Sequence, residues 1–357
     1  MKAAMLREFG PLQVETLPDL VPGTGEVVVD VVAAHVLSYT GEVLRGERNY
    51  QFELPLVPGT GAIGRVRSTG PDATRLAPGD WVVCDITVRS RDDLLTPDIA
   101  LQGWSARGQG GLRLMRHFRH GAFASQMMIP TENAIPIGPI AAADAGRWCA
   151  LDLLLVPYGG LVGVDLQPGE TVLVSGATGN YGSAGVTVAL AMGAARVVAP
   201  GRNEKVLDDL ARRFGDRVRP VRLTGEVAAD RRAMRAAGGG PVDVVLDLLP
   251  PQASAATVRT AVMTVREFGR VALMGGVGML GGEDLALPYP WLMRNSITVR
   301  GQWMFPRVAA PRLISLAQAG LIDLGQYQVT EFSLVEVNQA VAHAAGDKPF
   351  QLTVVRP

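Results

Sequence analysis

The run Gly176-Ala177-Thr178-Gly179-Asn180-Tyr181-Gly182 follows directly on the apolar stretch TVLVS and leads into a stretch with helical spacing. A turn without bulky side chains, placed between a strand and a helix, lets an anionic group reach backbone N–H donors at the positive helix end. The chemistry this order suits is capture of a pyrophosphate, with Gly182 letting the helix pack close to the strand. The spacing is GxxGxxG rather than GxGxxG, so an ordinary tight strand–helix turn is the competing reading.

The next apolar run ends in Ala199-Pro200-Gly201-Arg202-Asn203-Glu204-Lys205. An acidic residue at this tip, about 20 residues beyond the fingerprint, would bind a ribose 2′-hydroxyl. None stands there. Arg202 instead offers a planar fork to a 2′-phosphate, with Gly201, Asn203 and Lys205 beside it. NADP(H) is therefore expected over NAD(H), although Arg202 and Lys205 also suit solvated charges at a helix start. Two later strand ends, Asp247-Leu248-Leu249-Pro250 and Gly275-Gly276-Val277, are where an open α/β sheet places its ligands. Leu248, Leu249, Gly275, Gly276 and Val277 join the expected cofactor contacts on that ground.

The elements that must position these residues come in two textures. Residues 1–150 carry short β-rich runs separated by Pro and Gly turns, such as EVVVDVVA, GAIGRVRS and DWVVCDI, which suit a small β barrel or sandwich. After about residue 165, strands alternate with helix-period segments (Val186, Ala189, Leu190 and Gly193 on one face), the pattern of a doubly wound parallel sheet. FQLTVV near the end is an alternating strand with no helix after it, expected to pair back into the first domain. The expected division is 1–152 completed by 306–357, and 153–305. Residues 89–119, rich in Arg and Gly with little periodicity, read as a surface lobe.

Composition narrows the function classes. The 34 basic and 34 acidic side chains cancel, which argues against a general nucleic-acid surface. Two cysteines, Cys84 and Cys149, imply no disulfide framework and read as small core residues. The most apolar stretch, 151–164, is broken by Asp152, Pro157 and a Gly pair and is too short to span a bilayer, so a cytoplasmic protein is expected.

Taken in order, LPLVPGTGAIGRVRSTG, APGDWVV, HGAFASQMMIP, LQPGETVLVSGATGNYG, GRVALMGG and PRLISLAQAGLID resemble the medium-chain dehydrogenase/reductase superfamily over essentially the whole chain. The resemblance implies a GroES-like β-rich catalytic domain, a Rossmann dinucleotide-binding domain and nicotinamide-dependent hydride transfer. It also exposes departures. Where zinc alcohol dehydrogenases carry a catalytic Cys, this chain has Leu37. Thr60 and Gly61 stand for the His and Glu of their Gly-His-Glu motif, and Asp152 for the third ligand. A catalytic zinc normally takes three protein ligands, so no zinc is expected, and the four-Cys lobe is absent as well. His117 and His120 have a suggestive gap, but two arginines flank them, and a basic lobe face is the expected reading. The chain looks most like the zinc-independent members similar to quinone oxidoreductases or zinc-less alcohol dehydrogenases.

Without a metal, hydrogen bonds must stabilise the oxygen charge that hydride transfer creates, and a proton must be delivered. Tyr39, two residues past the lost Cys, either polarises the substrate oxygen or packs over it. Tyr50 resembles the pocket aromatic of zinc-free quinone reductases, although the Asn and Asp those relatives carry are here Leu37 and Thr40. Asp152 either relays a proton or is a helix residue bonded to its neighbours, and His35 is either an acid or a core histidine. Leu37, Ala62, Trp148 and Leu155 would give an apolar substrate pocket. The substrate expected is a small carbonyl, quinone or enone, with reduction favoured. The alternatives are a metal-free alcohol dehydrogenase working oxidatively and a catalytically silent NADPH-binding sensor. By resemblance a homodimer is expected through an edge strand at 297–302, with no nucleic-acid or membrane partner.

Overall fold

The computed structural model describes all 357 residues. They form two compact units, Met1–Asp152 with Leu324–Asp347 and Gln351–Pro357, and Leu153–Asp323 with Lys348–Phe350. No helix is long and apolar enough to cross a membrane.

The first unit is organised by β1 (Glu26–Val36), an eleven-residue strand that is almost wholly buried. It pairs antiparallel with β2 (Ala62–Thr69), which pairs with β3 (Trp81–Cys84). β4 (Gln126–Pro130) pairs with the start of β1, and β5 (Ala134–Pro136) closes the far side on β3. A short helix, α1 (Thr40–Leu44), follows β1 with Tyr39 at its N-cap.

The lobe at 89–119 is more ordered than its composition suggests. Three short antiparallel strands, Thr87–Arg89, Ile99–Leu101 and Ser105–Ala106, pack with α2 (Gly108–His117). Ala100, Ala106 and Met115 form a small core of their own, with Phe52, Leu112 and Leu114 against it. The helical spacing of Leu112 and Met115 is diluted by Gly and Arg, which hides it in the sequence. His117 and His120 do not share a basic face. The His117 ring bonds to the Glu26 carboxylate, and Nδ1 of the half-buried His120 accepts the Val57 N–H at 3.1 Å.

The second unit begins inside α3 (Ala150–Gly163) and is a six-stranded parallel sheet. In chain order its strands are β6 (Thr171–Ser175), β7 (Arg196–Gly201), β8 (Val218–Arg222), β9 (Val242–Asp247), β10 (Val265–Leu273) and β11 (Thr298–Gly301). The spatial order β8-β7-β6-β9-β10-β11 is the 3-2-1-4-5-6 order of a Rossmann sheet. Residues of β6, β7 and β9 are buried almost without interruption, as a sheet covered on both faces requires. Between them run α4 (Asn180–Ala191), α5 (Glu204–Phe214), α6 (Val227–Gly238) and α7 (Ala255–Val262). The expected one-sided face of α4 is not what forms. Every residue from Gly182 to Ala189 is buried, and Gly193 lies past the helix end, because a helix this apolar and small-sided is enclosed all round.

The chain returns to the first unit later than the expected residue 306. Phe305 lies tight against α3: a Cβ on Gly159 would fall 2.3 Å from the Phe305 Cβ. α8 (Ala309–Gln318), with Leu313 and Ile314 buried, stays in the same unit. Only then do β12 (Gln328–Ser333) and β13 (Gln351–Arg356) complete the seven-stranded sheet of the first unit, β13 antiparallel to β1 with Val354 opposite His35.

Candidate active site and dinucleotide site

The glycine turn is shaped by backbone contact. Gly176 adopts φ +86°, a left-handed conformation that favours glycine. Gly179 is the N-cap of α4, its N–H donating to the Gly176 carbonyl at 2.9 Å and its carbonyl accepting from the Ser183 N–H at 2.8 Å. A Cβ on Gly182 would sit 1.9 Å from the Gly176 oxygen, so the helix start and the turn are in direct backbone contact. Thr178 packs on the tip of β7, where a Cβ on Gly201 would meet its Cγ2 at 2.3 Å. That contact brings Ala177 to Tyr181 beside Gly201 and Arg202.

At the β7 tip Arg202, Asn203 and Lys205 are all exposed. The Asn203 side chain is committed to capping α5, accepting the Val206 N–H at 3.3 Å. Glu204, the nearest acid, is held by Arg222 at 2.5 Å, which leaves the Arg202 guanidinium free of a carboxylate partner.

The turns after β9 and β10 are joined to the glycine turn. Leu248 N–H donates to the Ser175 carbonyl at 3.1 Å, and Gly276 N–H to the Leu249 carbonyl at 2.8 Å. A Cβ on Gly275 would lie 2.5 Å from the Asp247 Oδ2 and 2.7 Å from the Leu249 oxygen, so this turn also tolerates no side chain. Val277 packs on the sheet core. A cradle that any added Cβ would fill, next to an uncommitted guanidinium, fits a dinucleotide.

In the first unit the structure assembles a polar cluster from residues far apart in sequence. Asp152 Oδ2 accepts the Thr60 hydroxyl at 2.7 Å and lies 3.0 Å from His35 Nδ1. His35 is held by the β1–β13 pairing. Thr60 is held in a loop whose flanking Gly59 packs on backbone, a Cβ there falling 2.7 Å from the Ala122 nitrogen. Asp152 is thus engaged by two side chains rather than by neighbouring backbone alone, and His35 is a buried histidine with a carboxylate partner. Nothing in the sequence pairs Thr60 or His35 with Asp152. The apolar face that packing gives the β1 end, Val36 and Leu37 both buried, disguises His35 as a core residue in the sequence.

Tyr39 and Tyr50 also come together. Both rings stand edge-on to Trp104, at 6.0 and 6.4 Å between centroids, and the two tyrosines are hydrogen-bonded to each other. The Arg48 guanidinium lies 4.5 Å above the Tyr39 ring and pairs with Glu42 at 2.6 Å. Burial pushes the Tyr50 phenol up, against the opposing pull of Arg48 and of the Tyr39 bond. In the sequence Trp104 and Arg48 carry no signal beyond an isolated Trp in an Arg/Gly-rich lobe.

Leu37 and Ala62 are buried in the first unit, Trp148 is half-buried there, and Leu155 is buried in the second. Both cysteines are buried, with the Cys84 thiol pushed up to about 12 by desolvation. No three His, Cys, Asp or Glu side chains converge in a metal-ligating arrangement. At the three positions where a catalytic zinc would be bound stand Leu37, Thr60 and Asp152, and one carboxylate does not make that donor set.

Residues 23–139 match the family model of the alcohol dehydrogenase GroES-like domain, and residues 181–319 that of the zinc-binding dehydrogenase. The chain belongs to the medium-chain dehydrogenase/reductase superfamily. An alcohol dehydrogenase of Rhizobium meliloti is 28% identical over 336 residues, covering 90% of this chain and 89% of its own. The acryloyl-coenzyme A reductase of Metallosphaera sedula is 26% identical over 315 residues, covering 87% and 86%. The alcohol dehydrogenase of Thermus sp. ATN1 has the same fold, with a TM-score of 0.81 at 23% identity over the whole of both chains. This medium-chain dehydrogenase/reductase is an NAD(P)-dependent oxidoreductase.

Proposed function

We propose that this chain is a zinc-independent, NADP(H)-preferring reductase of a small carbonyl, quinone or α,β-unsaturated carbonyl compound. The observation that carries the reading is the fate of the three zinc-ligand positions. One is the hydrocarbon Leu37, and the other two are bonded to each other through the Thr60 hydroxyl and the Asp152 carboxylate.

Bound NADPH supplies the hydride. The residues that would hold it are Gly176, Ala177, Thr178, Gly179, Asn180, Tyr181 and Gly182 for the pyrophosphate, with Gly201, Arg202, Asn203 and Lys205 at the adenosine 2′-phosphate. Leu248, Leu249, Gly275, Gly276 and Val277 line the remaining strand ends. The substrate oxygen gains charge as the hydride arrives, and a hydroxyl donor aimed at it lowers that barrier. Tyr39, hydrogen-bonded to Tyr50 and covered by Arg48, is such a donor and can also give up a proton. Asp152, with His35 and Thr60 behind it, is the second proton-handling group. Leu37, Ala62 and Trp148 supply apolar surface within the first unit.

The name of the Rhizobium relative favours a second reading, alcohol oxidation, in which Asp152 with His35 would accept the proton instead. Incubation with NADPH and an α,β-unsaturated aldehyde separates the possibilities by product. A saturated aldehyde supports enone reduction, and an allylic alcohol supports carbonyl reduction. NADPH binding without turnover across a carbonyl and enone panel would sink both in favour of a sensor. We further propose a homodimer formed through β11, an exposed strand at the edge of the parallel sheet with an unpaired side.

A further inference from the structure

Asp247 ends β9 with its side chain 3% exposed, on the sheet edge that carries the dinucleotide turns. It pairs in register with Ser175, the residue just before Gly176, and with Leu273, just before the Met274–Val277 turn. Its carboxyl takes hydrogen bonds from the Ser175 hydroxyl and the Leu249 N–H, while Oδ1 is buried with no partner at all. Gly275 closes over Oδ2 so tightly that no side chain could stand there. A buried carboxyl with one idle oxygen sits where none of the described catalytic roles needs it.

We propose that Asp247 couples dinucleotide binding to uptake of a proton. The two phosphates of a dinucleotide on the Gly176–Gly182 turn bring negative charge to the backbone adjoining Ser175, one hydrogen bond from the Asp247 carboxyl. Like charges in a water-poor site disfavour each other, so the anionic ligand favours the protonated acid. The free enzyme is already poised for this, because burial raises Asp247 to about 6 against the smaller opposing pull of Ser175 and Leu249. No charged side chain faces it from the packed elements. β6, the end of β10 and the turns at 248–251 and 274–277 carry none; Tyr181 is the one titratable residue on the glycine turn, and Arg259 on α7 is exposed. In the sign of the linkage, the complex holds its proton to higher pH than the free enzyme does. Affinity therefore falls as pH rises between the two midpoints.

Calorimetric titration of the intact enzyme with NADH, in buffers of different ionisation enthalpy between pH 5.5 and 8, reads the coupling directly. NADH is the probe because its lack of a 2′-phosphate leaves it without a titrating group in this window. The expected result is net proton uptake peaking a little above pH 6, with affinity falling about tenfold towards pH 8. Asp247→Asn should abolish the uptake and flatten the profile. Ser175→Ala, which removes one donor to the ionised form, should move the peak to higher pH and serves if the Asn variant does not fold. No uptake in the wild type, or the same uptake and peak in wild type and variants, overturns the proposal.

Discussion

The glycine turn of the second unit and the polar cluster of the first are built by opposite means. Between Gly176 and Gly182 the contacts are backbone on backbone, and a single added Cβ closes them. Among His35, Thr60 and Asp152 the contacts are side chain on side chain, across 92 and 117 residues of sequence. A site made of backbone admits almost no substitution without loss. A site made of side chains on a rigid frame can exchange its chemistry one residue at a time while the frame stands. That is why the glycine turn keeps the form of a dinucleotide cradle, while at the cluster a Thr hydroxyl, a His ring and an Asp carboxylate can be combined freely.

The largest expected effect tests the backbone side of this contrast. Gly182→Ala forces a Cβ to 1.9 Å from the Gly176 oxygen. Neither partner is a flexible side-chain end, so the helix start must move. Fluorescence titration should show NADPH affinity reduced by about a hundredfold or more, with about 1–3 kcal/mol of stability lost to overpacking. Near-normal binding would mean the turn is an ordinary strand–helix connection.

The side-chain cluster should respond more selectively. Asp152→Asn keeps an acceptor for Thr60 and His35 but removes the charge and the proton. If Asp152 handles a proton, kcat should fall by about a hundredfold, at unchanged NADPH affinity. Asp152→Ala would also strand two buried donors at a cost of about 1–3 kcal/mol. A loss of stability without loss of kcat in the folded fraction would make the cluster a structural brace.

This contrast also governs what the sequence disclosed. The strand–turn–helix order around Gly176 is local, so periodicity and glycine spacing were enough, and β6 matches TVLVS residue for residue. The Asp152 cluster is a product of tertiary packing. The residues at 60 and 152 differ from the zinc ligands of the similar dehydrogenases, yet nothing in one dimension says that they bond to each other or to His35. Likewise Tyr39 and Tyr50 could be named separately, but Trp104, which both rings meet, lies more than fifty residues on. The helix at Gly108–His117 is hidden in the sequence because its buried side, Gly111 and Met115, is too sparse to show a period.

Arg202 offers a test of intermediate size, because its role depends on a free side chain at the tip of a rigid strand. Arg202→Ala should weaken NADPH by about tenfold to a hundredfold, the range of a lost charge-assisted hydrogen bond or pair of bonds, and leave NADH nearly unchanged. Binding measured side by side decides it; equal weakening of both removes Arg202 from the phosphate role.

The last test compares the half-buried Asp152 with the buried Asp247. Asp152 has a donor from each of two side chains, whereas Asp247 leaves Oδ1 unpartnered and is raised to about 6 by burial. An acid whose folded value lies above its unfolded value of about 3.9 favours folding while protonated. That contribution is complete below the unfolded value and is lost as pH rises through the folded one. Over the two-unit gap the loss is on the order of 2–3 kcal/mol. Asp247→Asn is neutral at every pH, so its stability relative to wild type should improve between pH 4 and 6 and stay level above. The amide's own unsatisfied hydrogens add a penalty of about 1–3 kcal/mol, but that penalty does not vary with pH. Denaturant midpoints at pH 4.5 and 7.5 therefore read the change rather than the offset. A variant that runs parallel to wild type across this interval would show that the idle oxygen is solvated in the folded protein, and the contrast between the two acids would disappear.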